Sequence, residues 1–180
     1  MGGRWLVVVT GWPGTGKSTM AERVAADLGA TVASFDWVMS GLRALPEVWA
    51  QVELPVERQR RVGWNLLLRV AEQQLARGGS CVLDLVAREP VRVEGQELAE
   101  RYGARCAVIE CACADPDLHR SRVEGRRRGI PGWYELTWDH VAGSRRHYVP
   151  LAEPKLVLDA TEPVEANHAR VRDFLRSRGR

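Results

Sequence analysis

The sequence predicts a three-layer α/β domain built around a parallel sheet. Short apolar runs alternate with segments of helical spacing, a glycine-rich loop stands between the first apolar run and the first helical segment, and Ala104 to Cys113 is apolar nearly throughout, as a parallel strand covered on both faces requires. With 180 residues and no internal repeat or low-complexity linker, the chain reads as one domain, 1–180, able to bury one core.

The elements follow in order. Trp5 to Thr10 is a short β-branched run, and Lys17 to Leu28 shows helical spacing with Gly29 as its stop. Thr31 to Phe35 reads as a second strand ending at Asp36, and Trp37 to Leu45 as a short helix closed by Pro46, with a polar stretch of roughly a dozen residues beyond it. From Pro55 to Arg77 the apolar residues Val56, Val62, Trp64, Leu66, Leu67, Val70, Ala71 and Leu75 favour one face, so a long amphipathic helix is expected, stopping at Gly78 and Gly79. Cys81 to Leu85 is the third strand, Pro90 to Tyr102 a helix stopped by Gly103, and Ala104 to Cys113 the fourth strand. Asp115 caps a helix that runs into an arginine cluster and ends at Gly129-Ile130-Pro131-Gly132, where a mobile segment is expected to begin. Lys155 to Asp159 is the fifth strand, and Thr161 and Pro163 start a closing helix through Phe174 and Leu175.

The composition, 45% hydrophobic and 27% charged, is that of a globular chain rather than a disordered one. A net charge of +3, from 26 basic and 23 acidic residues, gives no global field that would draw nucleic acid or an anionic membrane. The N-terminal apolar run is too short to span a bilayer and has no small-residue cleavage site, so a cytoplasmic protein is expected. Cys81, Cys106, Cys111 and Cys113 lie in or beside apolar runs, where a thiol behaves as a small hydrophobe, and no His or second Cys pair stands at metal-ligand spacing from them.

The most specific signal is Gly11-Trp12-Pro13-Gly14-Thr15-Gly16-Lys17-Ser18, a G-x-x-x-x-G-K-S loop after a strand and before a helix. Backbone N–H groups of such a loop converge on a β-phosphate, Lys17 reaches the β- and γ-phosphates, the Ser18 hydroxyl suits Mg²⁺, and Thr19 falls near the α-phosphate. A glycine-rich turn that merely joins strand to helix is the alternative. Lys17 counts against it, because a lysine buried at the positive end of a helix needs an anion to meet it.

Ligands of open parallel sheets sit beyond the carboxyl ends of the strands, which singles out Asp36 and Asp84. Val82-Leu83-Asp84 has the pattern of a strand-end acid that holds Mg²⁺ directly or through water, leaving Asp36 as general base or, alternatively, as a helix N-cap. The run RSRVEGRRR at 120–128 gathers positive charge before the glycine break. Arg122 and Arg126, four apart, are expected to share a helical face and close over a transferred phosphoryl group, whereas Arg120, Arg127 and Arg128 read as a solvated basic face. His119, His140, His147 and His168 show no common spacing and read as surface or satisfied positions; Trp37 and Trp49 flank the segment after Asp36 and suit either a pocket wall or the core.

With these residues in place, the chain resembles the small P-loop kinases grouped with chloramphenicol phosphotransferase-like, zeta toxin-like and polynucleotide kinase-like proteins. The resemblance covers the phosphate loop, Ser34-Phe35-Asp36, Val82-Leu83-Asp84, Arg92 ahead of Leu98-Ala99, Arg122 to Arg126, and Leu158-Asp159. It implies a P-loop NTPase fold with five parallel strands in the order 2-3-1-4-5 and a small Arg-rich lid at 120–148, with 37–77 binding the acceptor. It further implies ATP and Mg²⁺ as cofactors and transfer of the γ-phosphoryl group to a hydroxyl of a small molecule such as an antibiotic, nucleoside or sugar, by a monomer or homodimer. Asp36 takes the place of the catalytic aspartate, with Lys17, Arg122 and Arg126 beside it. Met39 stands where polynucleotide kinases carry an Arg, which turns the resemblance away from nucleic-acid ends. The alternatives are an ATP-hydrolysing switch acting on a partner protein and a nucleic-acid end kinase.

Overall fold

A computed structural model of the chain describes residues 3–51 and 55–179. The central strand, β1 (Trp5–Gly11), is buried at every position and feeds the loop that opens α1 (Lys17–Leu28). After β2 (Thr31–Ser34) come α2 (Phe35–Arg43), the six-residue α3 (Pro46–Gln51) and the long α4 (Val56–Ala76). Then β3 (Cys81–Leu85), α5 (Glu89–Arg101), β4 (Arg105–Ala112), α6 (Pro116–Glu124), α7 (Trp138–Arg145), β5 (Leu156–Asp159) and α8 (Val164–Arg178) complete the chain. The five strands are parallel in the order β2-β3-β1-β4-β5, as expected.

Alternation along β1 sorts its side chains into two cores. Leu6 and Val8 face α4 and α5 with Leu67, Leu75, Leu83 and Leu98, while Trp5, Val7 and Val9 face α1 and α8 with Met20, Val24, Val171 and Leu175. Register then sets the site: Val9 pairs Asp84, and Ser34 pairs Asp84 from the other side. The ends of β1, β2 and β3 therefore align at one carboxyl edge, which puts the loop, Asp36 and Asp84 together.

The boundaries differ from expectation where packing decides them. α2 begins at Phe35, not Trp37, because Phe35 and Met39 press on α4 where Gly63 lacks a side chain; a Cβ there would fall 2.4 Å from Phe35 and 2.9 Å from the Met39 sulfur. The polar stretch after Pro46 is part helix, since proline suits a first helical turn and so opens α3 besides closing α2; residues 52–54 of that stretch lie outside the described residues. The segment after Gly132 contains α7, capped by the Thr137 hydroxyl, which accepts from His140 N at 3.3 Å. Among the described residues no helix is long and apolar enough to cross a membrane.

Candidate active site

The loop between β1 and α1 leaves the N-terminus of α1 uncapped. Gly16, the residue before α1, is left-handed and gives no side-chain cap, and the first turn of α1 carries no acidic residue, so its N–H groups and positive dipole end are open to an anion. Thr15 folds the loop back by donating both its N–H and its hydroxyl to the Trp12 carbonyl, at 3.2 and 2.8 Å. Gly14 is also left-handed, and a Cβ on it would meet Val123 of α6 at 2.8 Å, so loop and α6 approach as only glycine allows.

Lys17 is buried with its Nζ 3.8 Å from Asp84 Oδ1, and the two side chains are 8% and 6% exposed. That distance is an ion pair without a hydrogen bond, and Asp84 Oδ1 is a buried oxygen with no hydrogen-bond partner among the described residues. A carboxylate oxygen withdrawn from water and left with an unmet lone pair is an open ligand position, with Ser18 in the adjacent first turn of α1.

Asp36 lies in the first turn of α2, while Ser34 holds the N-cap position, so the capping alternative falls away. The partner of Asp36 is the main correction to expectation. Arg128, read from its neighbours as solvated, has a side chain only 5% exposed and donates from Nη1 to Asp36 Oδ2 at 2.5 Å. Its backbone N–H and Nε go to Glu135, and Nη2 to the Tyr134 carbonyl, so the whole guanidinium is engaged. Of the three arginines expected on a solvated face, Arg120 and Arg127 are exposed, Arg120 in a surface pair with Glu124.

Arg122 and Arg126 do not share a helical face, because α6 stops at Glu124. Arg122 turns to the far side of the phosphate loop and donates to the Ala160 carbonyl at 2.9 Å. Arg126 is half-buried beyond the helix end and makes no hydrogen bond or ion pair among the described residues.

Two hollows flank the loop. One is lined by Trp12, Lys17, Asp36, Asp84, Trp133 and Tyr134 among others. The other lies beyond Gly14 and Thr19, against Arg122, Thr161 and Asn167. Trp49 lines the first hollow, as one of its readings proposed, whereas Trp37 does not line it and is 55% exposed.

His119, which no spacing marked out, is 1% exposed and ties three elements. Arg145 of α7 donates to its Nδ1 at 3.4 Å, so Nε2 carries the proton and donates to the Pro13 carbonyl of the loop at 2.7 Å. Trp138 meets the ring edge-on at 5.2 Å. Burial holds the His119 pKa below its ordinary value; the Pro13 bond opposes that, and the charges of Arg145 and Arg122 add to it. Burial likewise pushes the thiols of Cys81 and Cys111 up to about 12 and that of Cys106 to about 11, which leaves them protonated and inert.

A strand, a glycine loop with its lysine and a helix at the centre of a 2-3-1-4-5 sheet define a P-loop domain. The chain belongs to the AAA domain family, whose model matches residues 6–132. Among solved structures, it is similar to Kti12 of Chaetomium thermophilum in complex with ADP-AlF3, at TM-score 0.68 and 17% identity over 96% of this chain and 97% of that one. A sugar kinase from Janibacter sp. superposes at TM-score 0.66 and 19% identity, covering 97% and 95%. The Mycobacterium tuberculosis APS kinase in complex with AMPPNP and APS does so at 0.60 and 19%, covering 97% and 98%. No curated protein matches the chain.

Proposed function

We propose that the protein is an ATP-dependent phosphotransferase that moves the γ-phosphoryl group of ATP to a hydroxyl of a small molecule seated in the hollow around Asp36. The observation that carries this reading is that Lys17 and Asp36 line one and the same hollow, with Asp84 between their strands at the sheet edge. Phosphoryl transfer is mostly positioning and electrostatics, and these residues fit its parts. The loop and Lys17 hold the β- and γ-phosphates, and the hollow beyond Gly14 and Thr19 takes the nucleoside. Asp36 accepts the proton of the acceptor hydroxyl, whose oxygen forms the new bond to the γ-phosphorus while ADP departs with the bridging oxygen. Arg128 fixes the position of Asp36.

Mg²⁺ fits the orphaned Asp84 oxygen and the Ser18 hydroxyl, and when bound it neutralises charge on the β- and γ-phosphates. The assignment of 37–77 to acceptor binding and 120–148 to a lid is supported by the walls of the hollow. Met39, Trp49 and Trp64 come from the first region, Trp133, Tyr134 and His140 from the second. A sugar kinase and an APS kinase with the same fold support a small-molecule acceptor. The likeness to Kti12 favours one second reading, an ATP-hydrolysing switch that acts on a partner protein. A phosphate-transfer screen with ATP against hydroxylated metabolites and antibiotics, with products detected by mass, tests the proposal. ATP hydrolysis with no phosphorylated small molecule supports the switch instead.

A further inference from the structure

The described lining of the hollow around Asp36 includes four basic side chains, Lys17, Arg43, Arg60 and Arg88, against the carboxylates Asp36 and Asp84. Both carboxylates are taken, by Arg128 and Lys17, and Arg60 pairs with Glu57. Arg43 is in a different position. Its guanidinium sits among three rings, 5.3 Å from the centre of Trp49, 5.5 Å from Trp133 and 5.1 Å from Tyr134, and makes no hydrogen bond or ion pair among the described residues. Aromatic faces recover part of the cost of taking a guanidinium out of water, but they offer its five N–H donors no acceptor in the guanidinium plane. The neighbouring Trp133 adds a buried indole N–H with no acceptor among the described residues. A half-buried guanidinium and a buried indole N–H, neither with an acceptor among the described residues, thus line the wall of one cavity.

We propose that the acceptor carries an anionic group, a carboxylate or a phosphate, which Arg43 and Trp133 receive while its hydroxyl sits at Asp36. This rests on the phosphotransferase reading and narrows it. Asp36 and Arg43 are seven residues apart on α2, on the same face and about 10 Å apart along the axis, which is the span of a small hydroxylated acid or sugar phosphate. The rings around Arg43 make the same wall a surface for a flat ring or sugar face. A charged anchor at that distance fixes which hydroxyl reaches the base.

The test titrates the protein, saturated with AMPPNP and Mg²⁺ so that the phosphate loop is filled, with matched probes: glucose, gluconate, glucose 6-phosphate, adenosine, AMP and inorganic phosphate. Binding is read by tryptophan fluorescence and calorimetry, and transfer from ATP is read by mass. An anionic member should bind about 10- to 100-fold more tightly than its neutral counterpart, the worth of a charge-assisted hydrogen bond, and Arg43→Gln should erase that ratio while leaving the KM for ATP unchanged. Arg43→Lys should restore part of it. Gluconate against glucose 6-phosphate and AMP separates carboxylate from phosphate. Failure of every anion to bind, a preference that survives Arg43→Gln, or efficient transfer to neutral acceptors alone overturns the inference, and the last of these leaves the phosphotransferase reading standing. Arg43-dependent binding of the hydroxylated anions with no phosphoryl transfer to any of them sinks that reading, and the acceptor assignment with it.

Discussion

Arg128 Nη1 stands 2.5 Å from Asp36 Oδ2, across 92 residues of sequence. The contact joins the carboxylate beside the phosphate loop to the segment that follows α6, so the position of Asp36 depends on how that segment folds. Replacing Arg128 with Ala leaves Asp36 and Glu135 without their shared partner and should destabilise the fold by about 1–3 kcal/mol, the worth of hydrogen bonds to a charged group. It should also lower kcat while leaving the ATP affinity near wild type. Thermal melts and steady-state kinetics check both, and wild-type kcat in a stably folded variant would mean that Arg128 only braces the loop.

Lys17→Ala should cut phosphoryl transfer by about a hundredfold or more, since it removes a charge aimed at the phosphates. The variant also strands Asp84, whose other oxygen contacts offer no replacement ion pair among the described residues. Near-normal turnover in this variant is incompatible with the role given to the phosphate loop.

Asp36→Asn and Asp84→Asn should fail in different ways. Loss of a general base costs roughly a hundred- to ten-thousandfold in rate with ATP and Mg²⁺ binding kept, whereas the amide at Asp84 should raise the Mg²⁺ requirement. The measurement is kcat against Mg²⁺ concentration for both variants. Rescue of Asp36→Asn, and not of Asp84→Asn, by excess Mg²⁺ reverses the two roles.

The separation of Arg122 from Arg126 gives each its own expected defect. Arg122 lies against the hollow beyond Thr19 and holds the Ala160 carbonyl, so Arg122→Ala should raise the KM for ATP about tenfold with kcat kept. Arg126 makes no hydrogen bond or ion pair among the described residues and lines neither hollow, so the lid role expected of it requires that Arg126→Ala lower kcat by about a hundredfold, and wild-type kcat removes that role. Nucleotide-binding calorimetry beside kcat decides between these assignments.

His119 should make stability fall in mild acid. Its pKa is lowered in the folded state, so below the unfolded value of about 6.5 the unfolded chain binds more protons, and stability drops as the pH falls toward the depressed folded value. Melting temperatures between pH 7.5 and 5 should show this slope, and His119→Gln should flatten it relative to wild type. An unchanged slope places the titrating group elsewhere.

The phosphate loop and α1 were legible because their signal is contiguous: the glycines, Lys17 and the cap at Gly29 act within a few turns of chain. The sheet followed from apolar runs in the same way. Arg128 was not legible, since Arg126, Arg127 and Arg128 are chemically identical and only the turn after Gly129 decides which one meets Asp36. His119 was hidden for a related reason, its partner at Pro13 being 106 residues away. α7 escaped notice because only Val141 among its residues is buried, so it lacks the apolar stripe that reveals a helix.

Arg43, Trp49, Trp64, Trp133 and Tyr134 all stand outside the five strands, although they wall the cavity around Asp36. Of these, Trp64 packs into the core beneath the sheet, while the other four take no part in the core clusters that set the pairing of Val9 with Asp84. On the proposed reading, taste and reactivity are inherited separately: a lineage, or an engineer, can rewrite what the cavity accepts through a few helix and loop positions while the groups proposed to work on phosphate stay as they are.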